Sequence, residues 1–239
     1  MRAFRFRPIP FVATVLLVAL GVSLGQWQDR RAAGKIAVQE QVDQAAKAPP
    51  LTLGSAPVDA AAAEHRKVSA TGEFVASWPV LLDNRPQEGK GPGFYLVMPM
   101  RLAGTDTHVL VVRGWLARPV GAAGLTPAFD TPAGPVTVTG VARATLGKVM
   151  QLGSAPPVTP GAILQNIEVA QFAKASGLKL QPFFIEQTDP VQPGDTLVRD
   201  WPASSLGVEK HQGYAFQWYA LAVMALLFFV ITGFRRGPK

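Results

Sequence analysis

Residues 8–28 read PIPFVATVLLVALGVSLGQWQ and residues 212–234 read QGYAFQWYALAVMALLFFVITGF; neither stretch carries a charge. At about 1.5 Å rise per residue, either run is long enough as a helix to cross the roughly 30 Å hydrocarbon core of a bilayer. Lipid offers the backbone no hydrogen bonds, so each N–H and C=O must be satisfied within the segment, and both runs are predicted α-helices. The first run also has the basic start and apolar centre of a cleaved signal peptide. It lacks a clear A-x-A site, however, and continues into Gln26-Trp27-Gln28-Asp29-Arg30-Arg31, with Trp27 placed as an interfacial anchor. It is read as a retained span.

Composition agrees with two spans. Of 239 residues, 48% are hydrophobic and 16% charged, against about 25% charged in a typical soluble domain. The absence of cysteine excludes disulfides, thiolate nucleophiles and Cys-based metal or iron–sulfur sites. Three histidines, His65, His108 and His211, lie too far apart in sequence for a local multi-His metal site. The net charge of +7 resides at the ends: Arg2, Arg5 and Arg7 at one, Arg235, Arg236 and Lys239 at the other, with 17 basic and 16 acidic residues between them. A nucleic-acid partner is not expected, because it needs a basic stripe on a folded face. The positive-inside rule places both basic tails in the cytoplasm and the intervening chain outside. Arg30, Arg31 and Lys35 weaken that bias, but Asp29, Glu40 and Asp43 accompany them. The short stretch before the first span leaves little room for a mitochondrial presequence, which favours a bacterial inner membrane.

The expected organisation is a cytoplasmic tail (1–9), a first transmembrane helix (10–28), a helical extension and linker (29–64), a periplasmic domain (65–210), a second transmembrane helix (211–234) and a cytoplasmic tail (235–239). The Pro49-Pro50 pair ends the extension, and residues 49–64 read as linker. Strands are predicted at 67–75, 78–83, 93–102, 107–116, 136–144, 182–187 and 197–201. Ala103-Gly104-Thr105-Asp106 forms the turn of a hairpin, and one helix over 167–175 is closed by Gly177. This is a β-rich α+β domain, an antiparallel sheet or partly open barrel with about one helix.

Catalytic patterns are sparse, and no enzyme is expected. Gly89-Lys90-Gly91-Pro92-Gly93 looks like a phosphate loop but precedes a strand, so no helix N-terminus follows it. Asp83, Glu88, Glu186, Asp189, Asp195 and Asp200 are scattered, and Ser204-Ser205 has no triad context. His65 and His108 read as surface or strand histidines. The outer end of the second span is richer: His211, Tyr214, Ala215 and Trp218 fall on one helical face at the bilayer edge. Tyr214, Trp218 and Tyr219 alone fit an aromatic belt. A neutral imidazole there suits either a partner-facing contact or an axial ligand to haem iron, with flat aromatics beside a porphyrin. Gly21 and Gly25 let a helix approach closely, with the second span as the default neighbour and a helix of another membrane protein as the alternative. Gln26, Gln28 and Gln217 are candidates for bonds between helices.

In this order along the chain, five segments resemble the surfeit locus family of cytochrome c oxidase assembly factors: Leu20 to Arg31 with Lys35; Gly72-Glu73-Phe74; Leu82-Asp83-Asn84-Arg85 with Gly91-Pro92-Gly93; Val111-Val112-Arg113-Gly114-Trp115; and His211 to Tyr219. One departure is Val112, where the family usually has asparagine before Arg-Gly-Trp. The resemblance implies a non-catalytic role in inserting haem a into the large subunit of cytochrome c oxidase, alongside other oxidase assembly or haem a synthesis proteins. It implies haem a, held stoichiometrically or only in transit, as the cofactor, with His211 as the iron ligand and Tyr214 and Trp218 packing the macrocycle. Gly21 and Gly25 make room for it, and Trp27, Gln217 and Trp115 serve partner or structural contacts. Arg85 and Arg113 either pair with haem propionates or make structural contacts. The alternative is a membrane-anchored scaffold that steadies a partly assembled oxidase without touching haem.

Overall fold

The computed structural model describes residues 4, 6–87, 89–119, 126–151, 153–191, 195–201 and 207–234. Arg2, Arg5, Glu88, Ser204, Ser205, Arg235, Arg236 and Lys239 lie outside them. In chain order the elements are α1 (Pro8–Lys47), β1 (Leu51–Thr52), α2 (Ala60–Ala63), β2 (Lys67–Phe74), β3 (Val80–Leu82), β4 (Gly93–Leu102), β5 (Thr107–Ala117), β6 (Val136–Arg143), β7 (Ile163–Leu164), α3 (Val169–Ser176), β8 (Lys179–Gln187) and α4 (Val208–Gly233). The chain divides into two compact units, Met1–Gln41 with Ser204–Lys239, and Val42–Ala203.

The first unit is a pair of helices, each long and apolar enough to cross a membrane. Pro8 and Pro10 occupy the first turn of α1, where a missing N–H costs nothing, and the helix runs unbroken until it meets Pro49-Pro50. Gly207, in the left-handed region at φ 57°, opens α4.

The second unit is built on a closed five-stranded barrel. The pairing runs β2–β6–β8–β5–β4, and β2 returns to β4. The closure turns on Gly72, which pairs with Val136 on one side and Leu102 on the other. A Cβ at Gly72 would run into the carbonyl of Arg101; a barrel corner of this kind needs glycine because two backbones converge there. The barrel interior is filled from all five strands, by Val68, Ala70, Met100, Leu102, Val109, Val111, Val138, Phe183 and Ile185 among others. Side chains one residue on, Leu110, Val112 and Phe184, lie on the outer face, where Phe172 of α3 covers them. β4 and β5 are therefore buried on both faces, and their sequences read as near-continuous apolar runs rather than alternating ones.

The hairpin 93–102/107–117 and the α3 helix, closed by Gly177 at φ 72°, agree with the sequence reading. Three features differ. The barrel is closed, and it is not wholly antiparallel: β5 and β8 run parallel, joined by a long crossover that includes β6 and α3. Residues 49–64 are not featureless linker, since β1 adds to β2, and Leu53 and Ala63 enter the barrel core. Residues 197–201 form no strand, only a bridge between Val198 and Trp115. β1 and β7 are two-residue parallel edges, too short to leave any periodicity.

Candidate functional site

On α1 the buried or half-buried positions of the first unit include Thr14, Val18, Gly21, Gly25, Gln28, Ala32 and Lys35, with Leu24 flanking them; on α4 they include His211, Ala215, Trp218, Ala222, Ala225, Phe229 and Thr232. Both series step by alternating threes and fours, the spacing of a coiled-coil seam. Its middle is built from small residues. A Cβ on Gly21 would lie 3.0 Å from the Ala222 Cβ and from the Trp218 carbonyl oxygen, and one on Gly25 would enter the Tyr219 ring. Gly21 and Gly25 thus make room for α4. The space the resemblance reserved there for a macrocycle is taken by Ala222 and Tyr219.

Polar groups close the seam at the end where α4 begins. His211 Nδ1 lies 2.7 Å from Gln28 Oε1, and Tyr219 donates its phenolic proton to Asp29 at 2.7 Å. Gln28 is buried, whereas Gln26 and Gln217 are exposed, so the bond between helices falls to Gln28 alone of the three candidates. Among the described residues no hydrogen bond engages His211 Nε2. Tyr214 does not join the seam. At about 100° per residue it sits about 60° round the helix from His211, and its side chain is 52% exposed. Trp218, half-buried, borders an apolar groove of about 360 Å³ lined by Leu17, Leu20, Gly21, Leu221 and Met224. On α1, the Arg31 guanidinium lies 5.7 Å over the exposed Trp27 ring.

No three His, Cys, Asp or Glu side chains cluster as a metal site among the described residues. A metal that arrives inside a macrocycle needs from the protein only an axial ligand and apolar surroundings. One imidazole with an unbonded nitrogen, two helical turns from an apolar groove along the same seam, fits that requirement.

The remaining candidates belong to the second unit. Arg85 donates to the carbonyls of Leu146 (3.0 Å), Gln165 (3.1 Å) and Gly147 (3.3 Å), and lies 5.5 Å from the Tyr95 ring centroid. Arg113 donates to the Asp130 carbonyl at 2.8 Å and sits 4.8 Å over Phe74. Both are buried, and desolvation makes each hold its proton less tightly than an exposed arginine. Both terminal nitrogens of Arg85 are spent on backbone carbonyls, and Nη1 of Arg113 is held by the Asp130 carbonyl and the Thr131 hydroxyl, so both side chains are engaged inside the second unit. Trp115 donates its indole N–H to the Arg85 carbonyl at 2.6 Å, and its ring fills the space where a side chain on Gly93 would be. These residues brace loops against the barrel. Glu186, kept protonated to higher pH by burial, and Asp189, which accepts the Thr139 N–H at 2.8 Å, stood in the sequence only among scattered carboxylates. No spacing rule marks them, because their partners come from other strands.

Two membrane-length helices, clasped by small residues and polar bonds and separated in sequence by a closed β-barrel, define a membrane-associated protein with a β-barrel domain. The model of the SURF1 family matches residues 15–223, and the chain belongs to that family, the surfeit locus family associated with cytochrome c oxidase assembly. It is 29% identical over 119 residues to a SURF1-like protein of Drosophila melanogaster, a match that covers 44% of this chain and 40% of that relative.

Proposed function

We propose that this protein holds haem a at the outer membrane interface during its insertion into the large subunit of cytochrome c oxidase, without catalysing a reaction. The carrying observation is His211, anchored through Nδ1 at the end of the helix seam, with no hydrogen bond to Nε2 among the described residues. Haem a would be cargo, its iron open to an imidazole nitrogen as ligand. His211 provides the ligand atom. Trp218 and the groove below it provide an apolar wall for the macrocycle, and Tyr214, exposed on the flank, packs at its rim. The basic residues at the chain ends support an inner-membrane protein with both termini in the cytoplasm and the barrel domain in the periplasm.

The test is to co-express the protein with haem a synthesis, purify it and record visible spectra beside a His211→Ala control. A Soret band that the control lacks supports the reading. Equal spectra overturn it and leave the scaffold, in which the spans contact the oxidase subunit through exposed side chains such as Phe216 and Phe228 of α4.

A further inference from the structure

Gln28 and His211 are 183 positions apart in the chain, yet their side chains meet at 2.7 Å in a half-buried seam. An amide oxygen has no proton to donate, so the imidazole nitrogen facing it must be the donor. A neutral imidazole has one N–H; with that proton on Nδ1, the lone pair resides on Nε2. The ring's hydrogen bond is to Gln28, while Asp29, the carboxylate next in sequence, accepts from Tyr219. Gln28 is itself 8% exposed, held between Gly25 and Ala32 on the buried stripe of α1, so its amide does not swing freely into water.

We propose that Gln28 is a positioning residue that holds His211 as the Nδ1–H tautomer and so presents Nε2 as the ligating atom for a metalloporphyrin. The proposal rests on the haem-holding reading above. In the opposite tautomer a proton occupies the nitrogen that must bind iron, and a ring without an anchor samples both tautomers and several orientations. Histidine ligands in proteins characteristically donate their second ring N–H to an oxygen acceptor, and loss of that acceptor costs about 10–100-fold in affinity.

Full-length protein in detergent micelles, labelled with 15N in its histidine rings, tests this by long-range 1H–15N correlation and, separately, by haemin titration at the Soret band. The His211→Gln spectrum assigns the His211 signals among the three histidines. The expected result is a wild-type His211 protonated on Nδ1 without any haemin present. In Gln28→Leu that preference is lost and haemin binds at least about tenfold more weakly. Gln28→Glu keeps an acceptor, and a charged one, so it retains Nδ1–H and strengthens donation from Nε2, lowering the midpoint potential of bound haemin. A wild-type ring protonated on Nε2 overturns the role of Gln28 whether or not haemin binds, as does unchanged haemin affinity in Gln28→Leu. Should Gln28→Leu not fold, an unchanged potential in Gln28→Glu overturns it. Equal haemin binding by wild type and His211→Ala instead overturns the cofactor reading.

Discussion

Tyr219 covers Gly25 with its ring and hands its phenolic proton to Asp29, one turn further along the same helix, at 2.7 Å. One side chain of α4 thereby reads two features of α1, a missing Cβ and a carboxylate, and ties steric fit to polar bonding at a single level of the seam.

Gly25→Val is expected to separate the two helices, because its Cβ lands on the Tyr219 ring. Overpacking of this kind costs typically about 1–3 kcal/mol. Thermal unfolding of the full-length protein in detergent should show the loss, and Gly25→Val/Tyr219→Ala should recover part of it. A double variant no more stable than Gly25→Val removes the steric account.

Gly72→Ala should destabilise the barrel at the β2–β4 closure, since the added methyl meets the backbone carbonyl of Arg101 rather than a movable side chain. A loss of at least about 1–3 kcal/mol is expected. Tryptophan fluorescence during denaturant titration reads it, because Trp115 lies buried beside the barrel wall. An unchanged midpoint contradicts the closure.

Trp115→Phe keeps most of the ring but leaves the Arg85 carbonyl without the 2.6 Å indole bond. A buried acceptor left unsatisfied costs about 1–3 kcal/mol. Arg85→Ala should cost more, because it strands the carbonyls of Leu146, Gly147 and Gln165 together. The order of the two midpoints is the readout, and Trp115→Phe being the worse of the two argues against the bracing role of Arg85.

The pH dependence of stability has a calculable sign. Burial lowers the pKa of His108 below its ordinary value of 6.5, so between the two values the unfolded chain binds the extra proton and the folded chain does not. Its contribution is present above pH 6.5 and is lost as pH falls through the folded value. His65, also lowered chiefly by burial, acts in the same direction. Glu186 opposes them: its pKa is raised above 4.5 by burial, so its contribution is complete below that pH and is lost as pH rises through the folded value. Acidification below 6.5 therefore removes the histidine contribution to the melting temperature, and His108→Gln should lessen the acid dependence between 6.5 and the folded value. An unaltered slope in the variant removes His108 as its source.

The two apolar runs, the 93–117 hairpin and the end of α3 at Gly177 were legible because each depends on residues next to one another: an uninterrupted apolar stretch, a turn with a flexible glycine, a left-handed cap. The helix seam was half legible. Gly21 and Gly25 marked it, and the alternating spacing through Gln28 and Ala32 carries the rest of the signal. Residue type alone did not distinguish Gln28 from Gln26 and Gln217; their position around the helix did.

By itself, the sequence determined that two stretches must be helices in lipid, that a β-rich domain lies between them in the chain, and that an imidazole stands at the edge of the second span. Those properties follow from local chemistry, namely transfer of side chains out of water and backbone hydrogen bonds closed within a segment. Only the tertiary structure decided that Gly72 closes the barrel, that β8 runs parallel to β5, that Arg85 and Arg113 face inward onto carbonyls, and that Gln28 meets His211. Each of these joins atoms far apart along the chain, and pairing at a distance is set by packing and register rather than by the residues flanking either partner.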